Sequence, residues 1–204
     1  MGDFKFYFST GWEHIISWEA LDHLLFILVL SSIYLIKNWR QVLVLVTAFT
    51  IGHSLTLALA VYEIIRIPDK WVEFLIPCTI VCTAVFNLAQ REYDAKNLRF
   101  NYLMALVFGL IHGMGFANTI RFMMAKDQQI GWSLFGFNIG LEAGQVVVVI
   151  IILLISLLFV TKLNEFLKLF WNTKFAIKRK CWVWSINIFS FYLAFRMMMD
   201  RWPF

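Results

Sequence analysis

The chain has 204 residues, 61% hydrophobic and only 15% charged, with a mean hydropathy of +0.73 and a net charge of +5. Soluble domains carry about 25% charged residues, so this composition points to a single integral membrane domain over 1–204 and leaves little length for a soluble one. The positive charge does not indicate nucleic acid, because the basic residues fall between apolar runs, where positive loops account for them.

The opening residues, MGDFKFYFSTGWEH, lack the basic start and apolar centre of a signal peptide, so the first apolar helix is expected to stay in the mature protein. About 20 apolar residues cross a bilayer as a helix. On that measure the sequence predicts an all-α bundle of about six transmembrane helices, over roughly 18–36, 42–62, 73–90, 101–118, 134–160 and 182–199. The fifth is long enough to tilt or to extend past the bilayer. Trp12, Trp18, Trp39, Trp71, Trp132, Trp171, Trp182, Trp184 and Trp202 fall at or near the predicted ends, as an interfacial belt would. Pro77 is expected in the first turns of the third span, where it does little harm. Cys78, Cys82 and Cys181 form no CxxC pair and read as small buried apolar residues.

Orientation follows from Lys and Arg. The loops 37–41, 91–100 and 161–181 hold eleven of them, from Lys37 to Lys180, against six on the other side: Lys5, Arg66, Lys70, Arg121, Lys126 and Arg201. The eleven are expected inside the cell, which turns both termini outward. The loop TKLNEFLKLFWNTKFAIKRK reads either as an amphipathic interfacial helix or as a solvated basic loop.

Ionisable groups in a span cost about 2.5–3.5 kcal/mol on insertion scales and need a reason. The first span carries Glu19, Asp22 and His23 near its outer end, just after His14. His53 lies at mid-depth of the second, with Ser54 beside it. Glu73 opens the third, His112 lies in the outer half of the fourth, and Asn138, Glu142 and Gln145 in the outer half of the fifth. Five helices therefore bring polar groups to one depth. Asp22 and His23 are adjacent, so they should point about 100° apart, and Asp22 is expected to serve a neighbour rather than its own histidine. Gly109 and Gly113, and Gly136, Gly140 and Gly144, form small-residue stripes that let helices approach closely. Phe49 and Phe108 each precede a histidine by four.

Imidazoles with carboxylates suit a transition metal. The expected metal positions are His14, Asp22, His23, His53, His112 and Glu142, supported by Glu19, Glu73, Asn138, Gln145 and Ser54. Two other readings use the same residues. One is an intramembrane zinc hydrolase with Glu142 as general base, although no HExxH is present. The other is a b-type haem protein with His53 and His112 as axial ligands. Copper is raised by Met114, Met123, Met124 and the run 197–199, although methionine here also serves as apolar filling.

The stretches GWEHIISWEALDHLLFIL, TAFTIGHSLTLALA, FGLIHGMGFA and FNIGLEAGQ resemble the HupE/UreJ family of hydrogenase and urease accessory membrane proteins. The resemblance covers about residues 11–150. It implies a permease of the bacterial inner membrane for a divalent transition metal, nickel first and cobalt next; zinc or copper remain candidates from the donor chemistry alone. It implies the same metal positions, His14, Asp22, His23, His53, His112 and Glu142. Partners are the bilayer and the ion, with a homo-oligomer left open.

Overall fold

The structure is a computed structural model that describes residues 2–17, 20–90, 98–124, 129–162, 165 and 179–204. Regular structure among them is entirely helical. The helices are α1 (Gly2–Ile16), α2 (Leu21–Ser32), α3 (Trp39–Val61), α4 (Asp69–Ala89), α5 (Leu98–Gly115), α6 (Ala117–Met124), α7 (Ile130–Leu157) and α8 (Arg179–Asp200). A 3₁₀ turn, Ile36–Asn38, leads into α3, and a π turn, Leu158–Lys162, ends α7.

Three helices are long and apolar enough to cross a membrane by themselves: α3 with its leading turn, α4, and α7 with its closing turn. Two more candidates are bent pairs, α1 with α2 at 68° and α5 with α6 at 51°, so the count is three to five. The sixth predicted span falls on α8, which carries Arg179, Lys180, Arg196 and Asp200 and is not among them.

The first predicted span needs correction. The helix within 18–36 is only Leu21–Ser32, followed by extended backbone at Leu35. Twelve residues rise about 18 Å, well short of a bilayer core of about 30 Å. The preceding helix α1 had no counterpart among the predicted spans. Its apolar residues are interrupted by Asp3, Lys5, Ser9, Thr10 and Glu13, so no long apolar window registers. Pro77 also lies further inside its helix than expected, because α4 begins at Asp69. There it removes the backbone hydrogen bond that would run to the Glu73 carbonyl.

The principal helix pairs are α1 with α7, α3 with α5, and α4 with α8, and α2 runs between α4, α7 and α8. Glycine makes the first two pairings close. A Cβ on Gly140 would strike the Phe8 carbonyl, and one on Gly11 the Phe137 carbonyl. Between α3 and α5, a Cβ on Gly52 would strike the Leu106 carbonyl, one on Gly109 the Phe49 carbonyl, and one on Gly113 the His53 carbonyl. Only residues without a side chain permit backbones at this range.

Helix α2 is buried on nearly every side, including Asp22, His23, Phe26, Val29, Ser31 and Ser32. An all-apolar helix takes such a place when other helices surround it. A polar knot holds α2 against α4 and α8. The Asn187 amide donates to Ser32 Oγ at 2.9 Å, and the Asn87 amide donates to Asn187 Oδ1 and to the Val29 carbonyl, each at 3.0 Å. Asn187 is fully buried. Replacing Asn187 by leucine strands one N–H of the Asn87 amide, the other still donating to the Val29 carbonyl, and a Ser32 lone pair. The expected loss is about 2 kcal/mol, read as a lower thermal midpoint in detergent by tryptophan fluorescence.

Candidate functional site

Four helices bring the chain's four histidines together. His14 comes from α1, His23 from the first turn of α2, His53 from α3 and His112 from α5. His23 is the hub: its ring centroid lies 5.0 Å from His14, 5.0 Å from His112 and 5.8 Å from His53. His53 and His112 are fully buried, His23 is buried, and His14 is half-buried. The Gly52, Gly109 and Gly113 contacts fix the spacing of α3 and α5, and hence of His53 and His112. Phe49 closes the inner side, with its ring 4.9 Å from Phe26 and 5.2 Å from His112. The Phe49–His53 spacing in the sequence thus marks a real wall of the cluster.

Asp22 does pair with its own histidine, contrary to the expectation from helix geometry. Its Oδ1 accepts the His23 backbone N–H at 2.8 Å and lies 3.0 Å from His23 Nδ1. The reason is position. In the first turn of a helix the backbone N–H groups have no intrahelical acceptor, so the carboxylate folds back onto the next residue and meets its ring there. An ionised carboxylate can only accept, so His23 Nδ1 carries the proton and Nε2 keeps its lone pair.

His112 is set in a similar way. The single Thr79 hydroxyl proton goes to the Ile76 carbonyl at 2.7 Å. With the proton placed there, the Thr79 oxygen, 3.2 Å from His112 Nε2, favours the tautomer protonated at Nε2. The buried ring nitrogens His14 Nε2, His23 Nε2, His112 Nδ1 and both nitrogens of His53 have no hydrogen-bond partner among the described residues. Nothing in the sequence singled out Thr79, because a hydroxyl in an apolar helix usually bonds its own backbone.

A cavity of about 250 Å³ opens beside the cluster, lined by His14, Asp22, His23, Glu73, His112 and Arg201 together with Ile76, Gly115 and Phe116. Both helix breaks flank it: His14 and Asp22 stand on either side of the α1–α2 bend, and His112 lies one turn before the α5–α6 bend. The rings meet edge to face, at 75° for His14 on His23 and 90° for His112 on His23. As they stand, no three His, Cys, Asp or Glu side chains among the described residues are arranged to hold one metal ion.

The structure keeps another part of the expected set elsewhere. Glu142 accepts from Thr47 Oγ at 2.7 Å. It lines a separate cavity of about 310 Å³ between α3 and α7, with Ser54, Asn138, Thr47 and Thr50. Gln145 is fully buried and accepts from Thr50 at 2.9 Å. Glu19 lies outside the described residues, as do Trp18, Trp171, residues 91–97 and most of the basic stretch 163–178.

The fold and the site together define an integral membrane protein, a helical bundle with a buried histidine cluster at two helix breaks. A family model described as HupE / UreJ protein matches residues 1–195, and the chain belongs to that family. No curated protein matches the chain. No solved structure matches it either.

Proposed function

We propose that the chain is a permease of the bacterial inner membrane for a divalent transition-metal ion, nickel first and cobalt next, built as one membrane domain over 1–204. Its cargo site is the cluster of His14, His23, His53 and His112, with Asp22 and Glu73 at the mouth. The observation that carries this reading is the state of the rings. Asp22 and Thr79 each engage one nitrogen of a histidine, and the other nitrogen is buried with no hydrogen-bond partner among the described residues. A carboxylate or hydroxyl on the far nitrogen is the usual support of a metal-binding imidazole. Burying an unpaired ring nitrogen costs about 1–3 kcal/mol, which coordination to an ion would offset.

Distances agree with this. A metal–imidazole bond of about 2.0–2.1 Å in tetrahedral geometry sets neighbouring ring centres roughly 5 Å apart. His23 already has that separation from two rings, at 5.0 Å each. Turning the rings from edge-to-face packing toward a common point is therefore a side-chain movement. Imidazole donors favour nickel, copper and zinc over magnesium and calcium. The bent pairs resemble the discontinuous helices on which transporters build mid-membrane sites. Family membership supports nickel and cobalt as the cargo, since the family is associated with their uptake for hydrogenase and urease.

The test uses the full chain, purified on a tag without histidine. Calorimetry with nickel chloride should give one ion per chain, and cells expressing the protein should accumulate nickel saturably. Absence of binding, with uptake equal to that of vector-only cells, would overturn the reading. An absorption spectrum of the same preparation separates haem, by its Soret band, from a metal ion.

A further inference from the structure

The mouth of the histidine cavity is occupied by a cation that belongs to the chain itself. Arg201 Nη1 lies 3.4 Å from Asp22 Oδ2, the oxygen not engaged by His23. Arg201 also lines the cavity beside Glu73. The residues after it are pinned to the start of α4. Trp202 meets Phe74 edge-on at 5.1 Å, Phe204 meets Trp71 edge-on at 5.2 Å, and Lys70 Nζ lies 3.4 Å from the Pro203 carbonyl. The family match ends at residue 195, before Arg201 and the residues that follow it.

We propose that Arg201 is a tethered plug that sets cation selectivity: an incoming ion must displace its guanidinium from Asp22 to reach the histidines. The proposal rests on the reading of the cluster as the cargo site. A guanidinium is charged at every physiological pH, so an arriving cation always meets an Asp22 that is already paired. Its tether gives it a high effective concentration at Asp22, against which a free monovalent ion competes poorly. A divalent transition metal has two advantages. It carries twice the charge, and it gains imidazole bonds behind Asp22 that sodium, potassium and the guanidinium itself do not make. The guanidinium is one-third exposed, and the pair is correspondingly modest in strength. It can therefore open under the pull of a good ligand while still covering the cavity at rest. The aromatic pairs on Trp71 and Phe74 return it to place.

Two readouts test the proposal. Nickel affinity is measured by calorimetry, and metal-free access by the rate at which diethylpyrocarbonate modifies the protein. The chain has four histidines, and all belong to the cluster, so modification followed by the absorbance of N-carbethoxyimidazole, which lysine and cysteine adducts lack, reports on that site. Arg201→Gln should tighten nickel binding on the order of fivefold, as expected for loss of one partly exposed ion pair and its repulsion. It should also speed carbethoxylation several-fold. Arg201→Lys should lie nearer the parent in both. The double variant Trp202→Ala, Phe204→Ala, which leaves Arg201 present and unpinned, should shift both readouts in the direction of Arg201→Gln. If nickel binds the parent and Arg201→Gln equally and carbethoxylation is unchanged, the plug is overturned and the cargo site stands. If neither protein binds nickel but carbethoxylation still accelerates, the lid over the cluster is upheld, while the cargo reading and selectivity fall. Slower carbethoxylation with weaker binding in Arg201→Gln would mean that the residue supports the site rather than covering it.

Discussion

Replacing His23 by alanine should lower nickel affinity about a hundredfold or more, and uptake should be lost with it. No other histidine meets all the rest: His23 touches His14 and His112 at 5.0 Å and His53 at 5.8 Å. Its removal takes away one donor and also the group through which Asp22 acts on the cluster, since Oδ1 is held by the His23 ring and backbone. Supporting groups alone are worth about 10–100-fold in metal affinity, so losing the ligand with its support lies at or beyond that range. Calorimetry on the purified variant checks the binding, and accumulation of nickel in cells checks the transport. Glu142→Gln provides the contrast, because that carboxylate bonds Thr47 in a different cavity. It should leave equilibrium binding at the histidines near the parent value. Binding by His23→Ala within threefold of the parent would remove His23 from the site.

The second large effect is expected far from any metal donor. Gly109→Leu should cost about 3 kcal/mol in stability and carry nickel affinity down with it. Even a Cβ at Gly109 runs into the Phe49 carbonyl, and a backbone atom has no rotamer with which to step aside. Helix α5 must then move off α3, and the movement separates His112 from His53 because the two residues sit on the two sides of that crossing. Gly109→Ala should fall between. Gly131→Ala serves as the control, since a Cβ there meets nothing nearer than the Tyr62 hydroxyl at 3.8 Å. It should unfold with the parent. Thermal unfolding in detergent with calorimetry on the surviving folded fraction separates the two losses. A Gly109→Leu protein of parental stability would mean that the crossing is looser than the glycines imply.

Much of this arrangement was legible in the amino-acid pattern, and the parts that were not share a cause. The apolar runs located α3, α4, α5, α7 and α8 because hydrophobic length is a property of one segment alone. The glycine stripes at 109–113 and 136–144 announced close crossings because the requirement for a missing side chain is equally local. Helix α1 escaped notice since its stability comes from its partner: Phe4 and Phe8 fit Gly136 and Gly140 of α7, Gly11 admits the Phe137 carbonyl, and its own sequence is too mixed to register as a span. Glu142 shows the limit most clearly. Its predicted depth matched that of the histidines, but depth is one coordinate of a helix surface and azimuth is another. Thr47 and Ser54 line one cavity on α3 with Glu142, whereas His53 on the same helix meets His23. Which face meets which neighbour depends on the pairing of helices. The Asp22–His23 contact failed to appear for a related reason, as the 100° rule describes a helix interior and this pair stands in a first turn with free N–H groups.

The central position of α2 has a consequence for how the protein is made. Its partners are α4, α7 and α8, and α1 leans on α7, so two of the three helices packed on α2, and the partner of α1, are encoded in the second half of the chain. During synthesis the first two helices reach the membrane long before those surfaces exist. Too short to cross and burdened with an acid, α2 has no stable residence in lipid alone. Assembly of α2 is therefore expected to be late: it gains its α7 and α8 surfaces only once those helices have been inserted, whereas α3 and α5, which carry His53 and His112, can already pair with each other.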